Sequence, residues 1–157
     1  MTGIEPLDRH IVEVLAQDGR VSFADLGRQV GLSTSATHQR VKRLEERGII
    51  QGYRAVVDYA AVGLPLTALM SVTPFDPAAE DDIPERLANI EEIVACWSVA
   101  GDENYILLIR VGRPQDLEEL LGRIRQQGSC STNTTIVLST PWEDRLGRLP
   151  EERPDET

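Results

Sequence analysis

The first third of the chain places its apolar residues at helical spacing. Between residues 7 and 18, Leu7 is followed by Ile11, Val14 and Leu15, which lie four, seven and eight positions after it. This spacing places all four side chains on one helical face. Gly19 ends this helix, and a second helix begins after Ser22. A third begins after Ser33 and continues to about Arg47. The pattern therefore predicts three helices that very short turns connect.

A different pattern follows the third helix. Residues 50–57 alternate in period two, which predicts an extended linker strand. Gly63 and Pro65 then interrupt the regular pattern, so we expect a domain boundary nearby. The predicted organisation is a first domain with its linker strand at 1–57, a linker at 58–65, a second domain at 66–144 and a frayed tail at 145–157.

Strand and helix patterns alternate through the second domain. The strands are predicted at 66–73, 93–100, 105–111 and 132–140, and the helices at 82–91 and 114–127. The order β-α-β-β-α-β is that of the ferredoxin-like split motif, whose antiparallel sheet has the strand order 4-1-3-2. The predicted fold class is α+β, with an N-terminal three-helix domain, a linker strand and a C-terminal ferredoxin-like βαββαβ domain.

The third of these strands is apolar on both faces. Its residues 105–109 read YILLI, as strands that are buried on two sides do. In a ferredoxin-like fold the helices cover only one face of the sheet. A second copy of the same sheet is the simplest cover for the other face, so the pattern predicts self-association.

Charge is distributed unevenly along the 157 residues, whose net charge is −10. The 8 basic and 7 acidic residues of positions 1–55 give a net charge of +1, and the 8 basic and 19 acidic residues of positions 56–157 give −11. Residues 34–44 carry three positive charges and no acid. A near-neutral first domain with a basic segment, joined to an acidic second domain, indicates two different functions.

The sequence lacks a membrane-spanning run, a signal-peptide pattern and a disulfide framework, and these absences predict the compartment of the protein and the redox state of its cysteines. No apolar run reaches the roughly 18 residues that a membrane span requires, and the N-terminus has no signal-peptide pattern. Cys96 and Cys130 are too few for a disulfide framework, and their predicted strands lie at opposite edges of the sheet, too far apart for a bridge. We expect a cytoplasmic protein with reduced cysteines and no membrane partner.

The second and third helices, joined by residues 30–33 (VGLS), have the pattern of a helix-turn-helix, in which the glycine permits a sharp turn. On the third helix Thr37, Val41 and Leu44 point inward. The opposite side carries amide, hydroxyl and basic groups that suit the bases and phosphates of double-stranded DNA. The predicted DNA-binding residues are Ser33, Thr34, Ser35, His38, Gln39, Arg40, Lys42, Arg43 and Arg47. The alternative is a solvated basic helix face that binds no ligand.

Two stretches of the first domain, DGRVSFADLGRQVGLS and RVKRLEERGIIQGYRA, resemble the Lrp/AsnC (feast/famine) family of bacterial transcriptional regulators. The stretches CWSVAGDENYILLIRV and TNTTIVLS resemble the C-terminal domain of that family, which responds to amino-acid metabolites. The resemblance covers about residues 7–140. It implies a winged-type helix-turn-helix, a homodimer or an octamer built as a tetramer of dimers, and an effector site where dimers meet.

Carried onto this sequence, the resemblance implies an effector site for an amino acid or related metabolite at Ala100, Gly101, Asp102, Glu103, Asn104, Tyr105, Thr132, Thr134 and Ile136. The chemistry of the turn agrees with this. Backbone N–H groups around Gly101, with the acids Asp102 and Glu103 nearby, can meet both ends of a zwitterion. Where the family most often has Asp before the tyrosine, this chain has the neutral Asn104. An ordinary hairpin turn without a ligand is the alternative.

Catalytic and metal-binding motifs are absent from the sequence. It contains no P-loop, dinucleotide fingerprint or nucleophile motif, and His10 and His38 have no partner at metal-ligand spacing. We therefore expect neither an enzyme nor a cofactor. Two other functions remain open: a metabolite-binding sensor or enzyme subunit with a vestigial helix-turn-helix, and an architectural DNA-binding protein without an effector. The basic third helix argues against the first of these.

Overall fold

The computed structural model describes residues 4–76, 82–147 and 149. The chain divides into two compact units. The described residues of Met1–Val56 and Trp142–Thr157 belong to the first, and those of Val57–Pro141 to the second. Most of the tail predicted at 145–157 lies outside the described residues. In the part of the chain that is described, no helix is both long and apolar enough to cross a membrane.

Three helices form the first unit: α1 (Pro6–Gln17), α2 (Phe23–Val30) and α3 (Thr34–Glu46). Side-chain caps begin the second and third helices as predicted. Ser22 accepts a hydrogen bond from the Asp25 backbone N–H, and Ser33 accepts one from the Ala36 N–H. Gly31 ends α2 in the left-handed conformation, with φ of 74°.

The core of the first unit lies between its three helices. Its fully buried apolar residues are Ile11, Leu26, Val41 and Leu44. The predicted linker strand does not form, because residues 51–58 are exposed and pair with no other strand in the structure. The alternating pattern there specifies an extended backbone, but a strand also needs a neighbour to bond with. No β wing is present in the described part of this unit either.

The second unit has the predicted order of strands and helices. Its elements are β1 (Leu66–Pro74), α4 (Ile83–Leu87), β2 (Ile93–Ser98), β3 (Tyr105–Val111), α5 (Pro114–Gly128) and β4 (Cys130–Ile136). The four strands are antiparallel in the order β2-β3-β1-β4, which confirms the ferredoxin-like topology.

Three element boundaries differ from the prediction. Helix α4 has five residues and ends well before residue 91, because the chain turns at Ile90, whose N–H bonds to the Leu87 carbonyl. Strand β2 ends at Ser98, before the tight turn into β3. Strand β4 begins at Cys130 and ends at Ile136, since its ladder with β1 runs from Pro74 to Ala68.

The two faces of β3 differ in burial. Its alternate residues Tyr105, Leu107, Ile109 and Val111 are buried against the helices. Ile106 and Leu108 lie on the opposite face and are only half-buried in the single chain. Leu69 of β1, which pairs with Leu108, is 38% exposed. The sheet therefore has an apolar outer face that the described helices of the second unit leave uncovered.

Candidate functional site

The turn between α2 and α3 brings the two helices unusually close together. The Leu32 N–H bonds to the Gly27 carbonyl at 2.8 Å. A Cβ at position 27 would lie 2.7 Å from the Leu32 carbonyl oxygen and 2.8 Å from Thr37 Oγ1. Gly27 is therefore required by close packing, a role that the sequence analysis missed. The signal was present, because a glycine inside a helix weakens it unless packing requires one.

Helix α3 is oriented as the sequence predicts. Thr37, Val41 and Leu44 are buried at 0–1% exposure, and the Thr37 hydroxyl donates to the Ser33 carbonyl at 2.9 Å. Eight of the nine predicted DNA-binding residues are exposed: Ser33, Thr34, Ser35, His38, Gln39, Lys42, Arg43 and Arg47. The structure thus presents a polar, basic face opposite the anchored one.

Several side chains on this face already have partners. The Ser33 hydroxyl caps α3 and lies 3.2 Å from Ser35 Oγ. Lys42 lies 3.6 Å from Glu46, and the His38 ring packs edge-on against Phe23 at 4.9 Å. Among the described residues, the side chains of Gln39 and Arg43 contact no hydrogen-bond or ion-pair partner. They are the groups that an outside ligand reaches without displacing a bond.

Arg40 is the least exposed of the nine residues, and it pairs with α1 more closely than Arg47, which lies 3.9 Å from Asp8. Its Nη1 atom donates to Asp8 Oδ1 at 2.7 Å and to Glu5 Oε2 at 3.0 Å, both on or beside α1. These hydrogen bonds raise the pKa of the Arg40 guanidinium. The side chain is 24% exposed. In the structure Arg40 therefore points toward α1, where two acids satisfy its charge, and it is less available to DNA than the other predicted residues.

In the second unit, the predicted effector residues fall into two groups. The first is the turn from Ala100 to Asn104, which joins β2 to β3 and is largely exposed. The backbone of Asn104 is already bonded within the chain, accepting from Val99 N–H and donating to the Val72 carbonyl at 3.1 Å. A Cβ at Gly101 would meet nothing within 4 Å.

Tyr105 immediately follows this turn but does not face solvent. It is 6% exposed, and its side chain belongs to the hydrophobic core of the second unit. In the single chain its side chain is therefore not exposed to an effector, and its role at the effector site stays a prediction. Alternation along β3 places every odd-numbered residue, Tyr105 included, toward the helices.

The second group lies on β4, at one edge of the sheet. Thr132 pairs with Val72 of β1, and Val72 pairs on its other side with Tyr105 of β3. Thr132 and the turn before Tyr105 therefore lie at the same end of the sheet. They are separated by two strand spacings, or about 10 Å. Ile136 lies about 13 Å further along β4 and is not brought to the turn within one chain. Thr134 lies between them.

A basic residue that the sequence analysis did not single out adjoins this second group. Arg125 on α5 donates from Nε to Thr132 Oγ1 at 2.8 Å. Its side chain is exposed, and it places a positive charge beside the strand. This contact could not be predicted from local pattern, because it depends on the reversal between α5 and β4.

The remaining chemistry of the described residues is limited. Cys96 on β2 and Cys130 on β4 are both free, as the strand order requires. Burial raises the pKa of both thiols. No cluster of His, Cys, Asp and Glu suited to a metal ion occurs in the ranges that the structure describes.

Known protein families match both halves of the chain. Residues 5–45 match the model of the AsnC-type helix-turn-helix domain, and residues 67–146 match that of the Lrp/AsnC ligand binding domain. The transcriptional regulator LrpA of Mycobacterium tuberculosis is 47% identical over 90% of this chain and 95% of its own length. The leucine-responsive regulatory protein of Haemophilus influenzae is 33% identical over 86% of this chain and 84% of its own.

Solved structures show the same relationship. The crystal structure of the leucine response regulatory protein LrpA of M. tuberculosis has 46% identity and a TM-score of 0.81, over 94% of this chain and 100% of the other. The feast or famine regulatory protein of M. tuberculosis complexed with L-methionine has 46% identity and a TM-score of 0.89, over 93% and 99%. The chain belongs to the Lrp/AsnC family of transcriptional regulators.

Proposed function

We propose that this regulator reads a specific double-stranded DNA sequence with the exposed face of α3 and responds to an amino acid bound by its second unit. The observation that carries the proposal is the two-sided character of α3. Thr37, Val41 and Leu44 anchor one side, while Gln39 and Arg43 are exposed and have no partner among the described residues.

The chemistry of this face suits the major groove. A glutamine can bond adenine with two hydrogen bonds, and a lysine or arginine can bond guanine or a phosphate. The proposed contacts are Gln39 to a base, Arg43 and Arg47 to phosphates, and Ser33, Thr34, Ser35, His38 and Lys42 to the groove or its edges. Because residues 56–157 carry a net charge of −11, the basic face of α3 is the part of the chain that DNA attracts.

For the effector, we propose an amino acid or a close relative. The relative solved with L-methionine is 46% identical to this chain, and an Lrp/AsnC ligand binding domain model matches residues 67–146. An amino acid has an ammonium and a carboxylate, and both need partners if they are buried. The acids Asp102 and Glu103 suit the ammonium, and the backbone around Gly101 suits the carboxylate. Arg125, which lies with the second group, would reach the carboxylate from another chain.

The proposed assembly is a homodimer that forms an octamer as a tetramer of dimers. The apolar outer face of the sheet, which includes Leu69 and Leu108, supports the dimer. The two groups of effector residues are about 10 Å apart in one chain, farther than one amino acid spans. This separation supports a site at the contact between dimers, where a second chain supplies the missing side.

One selection experiment tests the proposal. The purified protein is mixed with genomic fragments, with and without a pool of the twenty amino acids, and the bound fragments are sequenced. We expect a pseudo-palindromic site whose half-sites lie about 10 base pairs, or a multiple of that, apart. We also expect its enrichment to change with the amino acids. Bound fragments without a common sequence would contradict the proposal.

A further inference from the structure

A buried acid lies behind the exposed face of α3. Asp8 on α1 is 7% exposed and is the one charged residue among the buried residues of the described chain. A carboxylate in such a place is costly unless a charged partner meets it. The sequence carries a sign of this, because Asp8 is three residues before the fully buried Ile11 and shares its helical face.

The partners of this acid come from the helix proposed to read DNA. Arg40 Nη1 lies 2.7 Å from Asp8 Oδ1, and Arg47 Nη1 lies 3.9 Å from Asp8 Oδ2. Arg40 also contacts Glu5 at 3.0 Å. Arg40 of α3 is thus paired with two acids at the start of α1, its closest partner Asp8 lying 32 positions away in sequence. Arg47, which follows the last residue of α3, is a more distant second partner of Asp8.

The geometry of the helix links this anchor to the reading face. Successive residues of an α-helix are about 100° apart around its axis. Arg40 directly follows Gln39 and is three positions before Arg43, so fixing the Arg40 guanidinium fixes the angle at which both are presented. The apolar anchors resist separation of the helices but tolerate small rotations, whereas hydrogen bonds from one nitrogen, Arg40 Nη1, to two acids depend on direction as well as distance.

We propose that Asp8 is a positioning residue for DNA recognition: through Arg40 it fixes the rotation of α3 and thereby the register of Gln39 on the bases. In this proposal the Arg40 guanidinium pairs with Asp8 and Glu5 and does not contact a phosphate. The inference rests on the proposed reading of DNA by α3. A buried ion pair adds little net stability, and in some proteins such pairs fix a unique geometry, which is the role proposed for this one.

The test compares affinity for a selected operator with affinity for a scrambled duplex, and measures how the operator affinity depends on salt. The variants are Asp8→Asn, Arg40→Gln and Arg40→Lys. Glu13→Gln is the matched control, since it removes one acid from the same helix at a residue without a bonded partner among those described. Arg43→Gln reports the loss of a proposed phosphate contact. All are measured below the temperature at which circular dichroism shows unfolding.

Asp8→Asn and Arg40→Gln are each expected to lower the operator-to-scrambled ratio about tenfold, as the loss of one base contact does. The salt slope of Arg40→Gln should equal that of the wild type, whereas Arg43→Gln should reduce it by about 0.9 for each subunit bound, or about 1.8 for a dimer. Glu13→Gln should change neither quantity. Arg40→Lys keeps the charge but not the planar fork, and it should lower the ratio several-fold.

The results that would contradict this inference differ from those that would contradict the proposed function on which it rests. If Arg40→Gln reduces the salt slope as much as Arg43→Gln, Arg40 contacts a phosphate and the inference is wrong. It is also wrong if the wild type prefers its operator and Asp8→Asn retains that preference. Where Asp8→Asn does not fold, an unchanged ratio for Arg40→Lys overturns it. A wild type without any preference would overturn the proposed function and this inference together.

Discussion

Gly27 of α2 faces Thr37 of α3 so closely that a methyl group at position 27 would lie 2.8 Å from the Thr37 hydroxyl oxygen. The Thr37 side chain has little room to move away, because it is fully buried and its hydroxyl donates a hydrogen bond to the Ser33 carbonyl. The angle between α2 and α3 therefore depends on a residue without a side chain.

Replacing that glycine gives the first prediction. Gly27→Ala should lower the free energy of unfolding by about 1–3 kcal/mol, since overpacking a tight contact costs that much. Gly122→Ala on α5 is the control. A Cβ there would meet nothing within 4 Å, so the change should raise stability by about 0.5–1 kcal/mol through helix propensity. Urea unfolding of both variants checks the pair, and equal stability of the two would contradict the packing argument.

The outer face of the sheet gives a second prediction, about self-association. Leu108 lies on that face, half-buried, while Leu107 is fully buried against the helices. Leu108→Asp should leave a folded protein that sediments as a monomer, because it places a carboxylate in the dimer contact. Leu107→Asp should instead unfold the second unit. Sedimentation velocity with circular dichroism distinguishes them, and a Leu108→Asp dimer as tight as the wild type would contradict the prediction.

Tyr53 gives a prediction about high pH. Its hydroxyl donates to Glu45 Oε1 at 2.9 Å. Partial burial of this residue, which is still 52% exposed, followed by the bond to Glu45, raises the pKa of Tyr53 to about 12. Because the folded pKa exceeds the unfolded value near 10, the contact stabilises the fold below pH 10 and is lost as the pH rises toward 12. Ultraviolet titration should show a late tyrosinate step that Tyr53→Phe removes. An unchanged titration would contradict this.

The effector site gives a fourth prediction. Gly101→Val should keep the fold, because its side chain meets nothing within 4 Å in the single chain. It should nevertheless weaken amino-acid binding at least tenfold, since a side chain there blocks approach to the backbone. Calorimetric titration of the twenty amino acids, L-methionine included, measures this on the wild type and the variant.

Two results of that titration would count against the site. One is an absence of binding by any amino acid at millimolar concentration. The other is wild-type affinity in Gly101→Val. Because a site between dimers links binding to assembly, the bound amino acid should also shift the sedimentation coefficient, and assembly should shift the binding constant by the same factor.

Local signals predicted most of the fold. Ser22 and Ser33 were identified as caps and Gly31 as the end of α2, because short-range hydrogen bonds and backbone conformation determine these features. The strand order followed from the sequence of elements, since few topologies suit a split β-α-β motif. Ends of elements were less predictable, because α4 ends where the chain turns at Ile90 rather than where its pattern changes.

At the candidate sites, contacts between residues far apart in the sequence could not be predicted. Arg40 was assigned to DNA because its own helix gives no indication of Asp8, which is 32 positions away. Tyr105 was assigned to the effector because it adjoins the turn, although alternation along β3 directs it into the core. The face of α3, by contrast, was predictable from helical spacing alone, since Thr37, Val41 and Leu44 share one side.

The most direct test of the account is the binding of the selected operator by wild type, Gln39→Ala and Arg43→Ala across a range of salt concentrations. Gln39→Ala should reduce the operator-to-scrambled ratio by about 5- to 150-fold and leave the salt slope unchanged. Arg43→Ala should weaken binding to all sequences and lower the slope by about 0.9 for each subunit bound, or about 1.8 for a dimer. Wild-type affinity, ratio and slope in both variants would contradict the claim that α3 reads DNA.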